Sequence, residues 1–170
     1  MKLSVIIPVH KTNNIVLECL EKVYKQIKNH ELIIACDKFE FSFKNAKIIK
    51  SDNKLYANGI RNFAAKSATG DYIAFLDSDI IVKNNFIEAI EQHIKNNNVD
   101  ILNFPTESES SSNIFARYKS FKENYQTHHL LIKNSKNIKA PFFGYAVIFK
   151  KNVFFELGGW PEKGEFDYIM

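Results

Sequence analysis

Residues 70–79, Gly-Asp-Tyr-Ile-Ala-Phe-Leu-Asp-Ser-Asp (GDYIAFLDSD), set five apolar residues directly ahead of two carboxylates separated by one serine. A short apolar run bounded by turn residues reads as a buried strand, and strands buried on both faces belong to parallel sheets covered by helices. The carboxylates Asp77 and Asp79 then stand beyond the carboxyl end of a strand, where open α/β sheets bind their ligands.

The flanking segments follow the same alternation. Leu3 to Val9 (LSVIIPV) and Leu32 to Cys36 (LIIAC) are apolar, β-branched runs that predict buried strands. Between them, Thr12 or Asn13 is placed to cap a helix whose apolar face is Val16, Leu20, Val23 and Ile27, widened by Leu17 and Tyr24. A short strand is expected over Ala46 to Ile49 and a helix over Asn58 to Ser67, ended by Thr69-Gly70-Asp71. After the Asp pair, Asn84 or Asn85 heads a helix through Ile94 with Phe86, Ile87, Ile90 and Ile94 on one side. Val99 to Phe104 predicts a strand closed by Pro105, and the polar run ESESSSN (107–113) a loop. Asn113 can cap a helix through Tyr125 toward Leu131, and Tyr145 to Phe149 returns as a strand. The expectation is one α/β domain with a mostly parallel central sheet flanked by helices.

Composition fits that expectation. A chain of 170 residues, 45% of them hydrophobic, supplies one core. The net charge of +4 is spread singly along the sequence, which argues against a nucleic-acid face and accommodates a phosphate-bearing ligand or an anionic membrane surface. Cys19 and Cys36 sit in apolar patterns with no CxxC partner, which disfavours a disulfide framework or zinc site and fits a reducing, cytoplasmic setting. The opening MKLSVIIPVHKT is too short in its apolar part for a signal peptide or a membrane span.

Residues i and i+2 of an extended segment point the same way, so Asp77 and Asp79 can converge. Neighbouring carboxylates repel unless a cation or shared proton intervenes, and Mg²⁺ or Mn²⁺ takes one or two carboxylates together with phosphate oxygens. Asp and Ser after a strand are also ordinary turn and cap residues, so the pair alone does not decide between metal site and polar turn.

The longer stretch NGIRNFAAKSATGDYIAFLDSDIIV (58–82) resembles the central signature of family 2 glycosyltransferases with the GT-A, Rossmann-like fold. Arg61, Asn62, Gly70, Tyr72, Ile73, Phe75, Leu76, Asp77 and Asp79 match its pattern in register. LSVIIPVH resembles the family's first strand, and GGWPEKGEFDY (158–168) its later G-G-(F/W)…E-D element.

The resemblance implies a metal-dependent, inverting transfer of a sugar from a nucleotide diphosphate donor, UDP-linked by analogy, to a saccharide or lipid-linked hydroxyl. It implies that Pro8, Val9, His10 and Asp37 surround the nucleotide with Ser78 nearby, while Arg61 and Asn62 either contact the ligand or hold their helix against the loop under the nucleotide. Asp77 would contact ribose or the metal shell, and Asp79 would be the main ligand of Mn²⁺ or Mg²⁺. Glu165 and Asp167 are the candidate bases for the acceptor hydroxyl, although Phe166 separates acids that are usually adjacent in the family. Phe142, Phe143, Tyr145 and Trp160 would flank the acceptor or serve as core. His128 and His129, being adjacent, read as surface or structural residues.

The implied organisation is a glycosyltransferase domain over residues 1–170 that stops short of the family's C-terminal helices. Its donor-binding half would cover 1–104 and its acceptor-side half 105–170. Polysaccharide or cell-envelope biosynthesis, at the inner face of a membrane where a lipid-linked acceptor is met, is the implied setting. Two alternatives remain: a nucleotide-sugar-binding domain without turnover, and a phosphatase of haloacid dehalogenase type, which usually carries its D-x-D on the first strand.

Overall fold

β1 (Leu3–Val9) is buried along all seven residues, as a strand covered on both faces must be. The computed structural model describes residues 1–37, 40–52, 55–104, 114, 118 and 146–161. In it, β1 is the pivot of a six-stranded sheet. β2 (Glu31–Asp37) pairs with β1 in parallel, and β3 (Lys47–Ser51) continues that side in parallel. β4 (Tyr72–Leu76) pairs in parallel with the other edge of β1. Beyond β4 the direction changes: β6 (Ala146–Lys150) runs antiparallel to β4, and β5 (Ile101–Asn103) antiparallel to β6. The order is therefore β3-β2-β1-β4-β6-β5. The chain turns to opposite sides of β1 after β1 and after β3, which makes the gap between the ends of β1 and β4 the topological switch point.

Among the described residues the sheet is covered by α1 (Asn14–Tyr24), α2 (Ala57–Ala65), α3 (Phe86–Asn97) and α4 (Lys151–Glu156). Strand alternation divides the core into two layers. Val5, Ile7 and Val9 of β1 join Val16, Leu20 and Val23 of α1 and Ile87, Ile90 and Ile94 of α3. Ile6 joins Ile60 and Ala64 of α2, Phe75 of β4 and Phe154 of α4 on the opposite face.

Local signals located most elements within a residue or two, and the departures have physical causes. Asn13 is the cap of α1, its Oδ1 accepting from the Val16 amide at 2.9 Å. Leu17 does not widen the buried stripe, because it is 43% exposed. α1 ends at Tyr24, and Ile27 reaches the core from the turn beyond it. At α3 the N-cap is Asn85, but its side chain makes no capping bond. Instead Gln26, after α1, accepts from the Ile87 amide at 3.3 Å and donates to the carbonyls of Lys83 (2.9 Å) and Lys22 (3.0 Å). β5 is only three residues long, shorter than the expected run of six. Of the segment expected to form the next helix, Ile114 and Tyr118 are described and helical; the remainder, the ESESSSN run and Tyr145 lie outside the described residues.

The turn that feeds β4 is tied to the amino ends of β1 and β2. Ser4 Oγ donates to Glu31 and accepts from the Gly70 amide at 2.8 Å. Thr69 donates to the same Glu31 oxygen from its amide (2.5 Å) and its hydroxyl (3.0 Å). The start of β4 is thereby fixed against β1, and with it the level at which Asp77 leaves the sheet.

Candidate active site

Asp77 follows the last residue of β4, and its carbonyl is gripped from two sides. The Ile80 amide donates to it at 3.2 Å, closing a turn over Asp77–Ile80. From α1 beneath, Cys19 Sγ donates to the same oxygen at 3.7 Å. Burial, with the charge of Asp79 adding, pushes the Cys19 thiol up to about 12. Cys19 is therefore a protonated donor under the loop.

The Asp77 carboxylate is held by α2. Arg61, 8% exposed, donates from Nη2 to Asp77 Oδ1, and from Nη1 to Asn58 Oδ1 at 3.1 Å. Burial lifts the Asp77 carboxyl above its ordinary value, the Arg61 charge and hydrogen bond oppose that, and the Asp79 charge adds to the rise. Asp77 and Ser78 are half-buried, whereas Asp79 is exposed. Asp77 is committed to the protein through one oxygen, and Asp79 faces outward at the switch point.

The other sequence-predicted residues fall along the same edge of the sheet. Pro8 and Val9 end β1 opposite Ala35 and Cys36 of β2. Both are buried, and His10 follows them at the surface. Asp37 is the last residue of β2, in register with Ser51 of β3. The ends of β1, β2 and β4 therefore bring Pro8, Val9, His10, Asp37, Asp77, Ser78 and Asp79 to one margin of the sheet, with Arg61 behind it. Glu165, Asp167, Phe142, Phe143, Tyr145, His128 and His129 lie outside the described residues.

Trp160 is on the inner side of this margin. Its ring meets Phe75 at 5.6 Å and Phe149 at 5.7 Å, both edge-on, and the Arg61 guanidinium stands 5.9 Å from its centroid. Of the two roles open to it, core packing is the one these contacts show. Two buried donors here, Arg61 Nε and Trp160 Nε1, have no hydrogen-bond partner among the described residues. Asn58 has no role expected from the sequence, yet it anchors Arg61. The readable signal was spacing: positions 58, 61 and 62 share one stripe of a helix.

The donor set suits a hard divalent ion. Mg²⁺ and Mn²⁺ accept one or two protein carboxylates and leave other positions to phosphate and water, and among the described residues Asp77 and Asp79 are the carboxylates at this strand end. A cavity of about 450 Å³ elsewhere is lined by Thr69, Gly70, Tyr72, Lys151 and Phe155. It opens at the amino end of β4, away from Asp77 and Asp79, and Asp71, Lys150 and Asn152 complete its lining. Among the described residues no helix is long and apolar enough to cross a membrane.

Comparison with known proteins agrees with this geometry. The chain is 30% identical over 127 residues to the glycosyltransferase GlyG of Streptococcus pneumoniae serotype 4, covering 66% of this chain and 42% of that protein. The chain thus spans less than half the length of that relative. Its fold superposes on S. aureus TarS residues 1–349 with a TM-score of 0.74 at 17% identity, covering 96% of this chain and 51% of TarS. A second superposition, at TM-score 0.61 and 10% identity, is with Mycobacterium tuberculosis glucosyl-3-phosphoglycerate synthase in complex with Mn²⁺ and UDP-glucose, covering 90% of this chain and 58% of that one. A family model described as glycosyl transferase family 2 matches residues 4–157, and with most of its length inside that match the chain belongs to this family of glycosyltransferases.

Proposed function

We propose that the protein transfers a glycosyl group from a UDP-linked sugar to a hydroxyl of a saccharide or lipid-linked acceptor, with Mn²⁺ or Mg²⁺ and with inversion at the anomeric carbon. The observation that carries this reading is the asymmetry of the two carboxylates at the switch point: Asp77 is locked to Arg61, and Asp79 is exposed two residues on. TarS has also been solved in complex with UDP-GlcNAc, in a form that superposes on 95% of this chain. The presence of UDP-sugars in two superposable proteins supports a donor of that class.

In this reading the ends of β1 and β2 receive the nucleotide, with Asp37 accepting from a base N–H. Asp77, whose Oδ1 is taken by Arg61, turns its other oxygen to a ribose hydroxyl, and Asp79 is the metal ligand. When bound, the divalent ion would neutralise charge developing on the departing diphosphate. The acceptor oxygen attacks the anomeric carbon from the side opposite the diphosphate. As the new C–O bond forms, the bond to the diphosphate oxygen breaks and its electron pair remains there. The acceptor proton passes to Glu165 or Asp167. In this reading residues 1–104 form the donor side and 105–170 the acceptor side.

Calorimetric titration of UDP with and without Mn²⁺ tests the donor half. We expect manganese-dependent binding in the wild type and its loss, by about tenfold or more in affinity, in Asp79→Ala. Metal-independent binding of every nucleotide tried would return the pair to a polar turn.

A further inference from the structure

We infer that Asn62 is a positioning residue that fastens the Gly158–Pro161 loop to the donor-side helix, so that the acceptor side is built on the same rigid element that holds Asp77. The inference rests on the transferase reading above and adds to it a residue that sets where the acceptor-side chain begins.

Asn62 makes a reciprocal bridge to one residue 98 positions away. Its Nδ2 donates to the Trp160 carbonyl at 2.7 Å, and its Oδ1 accepts from the Trp160 amide at 2.8 Å. A side-chain amide used this way substitutes for a pairing strand, holding both backbone groups of a single residue. One turn earlier on α2, Asn58 Nδ2 donates to the Pro161 carbonyl at 2.8 Å. Asn58 also accepts from Arg61, and Arg61 holds Asp77. A single helical stripe of residues 58, 61 and 62 therefore grips the carboxylate at the end of β4 and the loop after α4 together.

The loop is shaped for this grip. Gly158 and Gly159 take φ of +85° and +78°, values that suit glycine. A Cβ on Gly159 would lie 2.8 Å from Asn62 Oδ1 and 3.3 Å from its Cγ, so the approach of Asn62 itself requires glycine there. The Trp160 ring already has apolar neighbours in Phe75 and Phe149, but apolar burial is non-directional. The two-point bridge fixes the direction in which the backbone leaves Trp160. Glu165 and Asp167 follow Pro161 by four and six residues in the sequence, so in the transferase reading the clamp sets the direction in which the chain leaves for the proposed bases.

Trp160 is the only tryptophan of the 170 residues, which makes its fluorescence a direct readout of the loop. The test compares the 170-residue wild type with Asn62→Ala, and with Asn62→Asp, which keeps the side-chain size and the acceptor for the Trp160 amide should the alanine variant fold poorly. Three quantities are read: UDP affinity with Mn²⁺, UDP release from UDP-glucose and UDP-N-acetylglucosamine with water or an added saccharide as acceptor, and quenching of Trp160 by acrylamide. We expect UDP affinity and donor KM to be retained, kcat to fall by about a hundredfold, as a displacement near 1 Å can produce, and quenching to increase. Asn62→Asp should fall between the two.

Quenching unchanged from the wild type overturns the clamp. Increased quenching with unchanged kcat, or a kcat loss matched by lost UDP affinity, overturns the positioning role. A wild type that releases no UDP removes the transferase reading itself and the positioning role with it, whereas a wild type that turns over at the rate of Asn62→Ala removes only the inference.

Discussion

Gly70 shows how a single residue in the matched stretch can be required by packing rather than by chemistry. A Cβ there would stand 2.7 Å from Ser4 Oγ, 2.8 Å from the Lys2 carbonyl and 2.8 Å from the Ser4 amide. Two of those three atoms are backbone and cannot step aside. Gly70→Ala should therefore destabilise the protein by about 2 kcal/mol, in the range of overpacked sites, as read by urea denaturation; a midpoint equal to the wild type would show that β4 can shift to make room. Asp77 and Asp79 differ in kind. Their position after an apolar strand was legible because strand burial and the abrupt change to carboxylates are both local. That Asp77 would be claimed by Arg61 and Asp79 left exposed was not legible, since Arg61 lies 16 residues earlier on a helix whose rotation against the sheet is set by Ile60 and Ala64 in the core.

At the scale of elements, the two long helices that share a face begin in contrasting ways. α1 is capped by its own Asn13, a contact within one turn that the sequence announces. α3 has asparagines in the right place, but the bond to its first turn comes from Gln26. Gln26→Ala removes two hydrogen bonds that join the end of α1 to the start of α3 and a third to Lys22 of α1 itself, and we expect a loss of about 1–2 kcal/mol. That corresponds to a fall in melting temperature of about 2–8 °C for a chain of this size. An unchanged melting temperature would mean that water replaces Gln26 at no loss.

The junction of β1, β2 and the turn before β4 should respond to pH. Burial acts to raise the Glu31 carboxyl, but hydrogen bonds from Ser4 and Thr69, with the Lys2 charge nearby, outweigh it and hold the carboxyl below its ordinary value. A carboxyl depressed in the folded state adds stability above its unfolded pKa of about 4.3, and that contribution is lost as pH falls through the lower folded value. The melting temperature of the wild type should accordingly drop more steeply below about pH 4.3 than that of Glu31→Gln, which has no carboxyl to titrate there. Parallel curves for the two proteins would remove Glu31 from the acid response.

Across the whole molecule, Phe75 links stability to the site. It is buried in β4 between the sheet and α4, where its ring meets Phe149 at 6.1 Å, Phe154 at 4.9 Å and Trp160 at 5.6 Å. Phe75→Ala should cost about 3–5 kcal/mol, a large part of the stability of an ordinary domain. It should also expose Trp160 to quenching before global unfolding, because the ring loses its edge-on contact with Phe75. Coincident loss of Trp160 protection and secondary structure across a denaturant series would count against that local loosening.

What the sequence by itself determined is what near neighbours determine: the buried strands, the helix stripes, a cap at Thr12 or Asn13 and the delivery of two carboxylates to a strand end. Apolar periodicity and turn chemistry act over a few residues, and those features need nothing more. The tertiary structure decided the rest. The antiparallel insertion of β6 between β4 and β5, the pairing of Arg61 with Asp77 and the bridge from Asn62 to Trp160 depend on which faces the sheet brings together. Partners tens of residues apart meet only after the two core layers have set the rotation of each helix, and no local pattern carries that rotation.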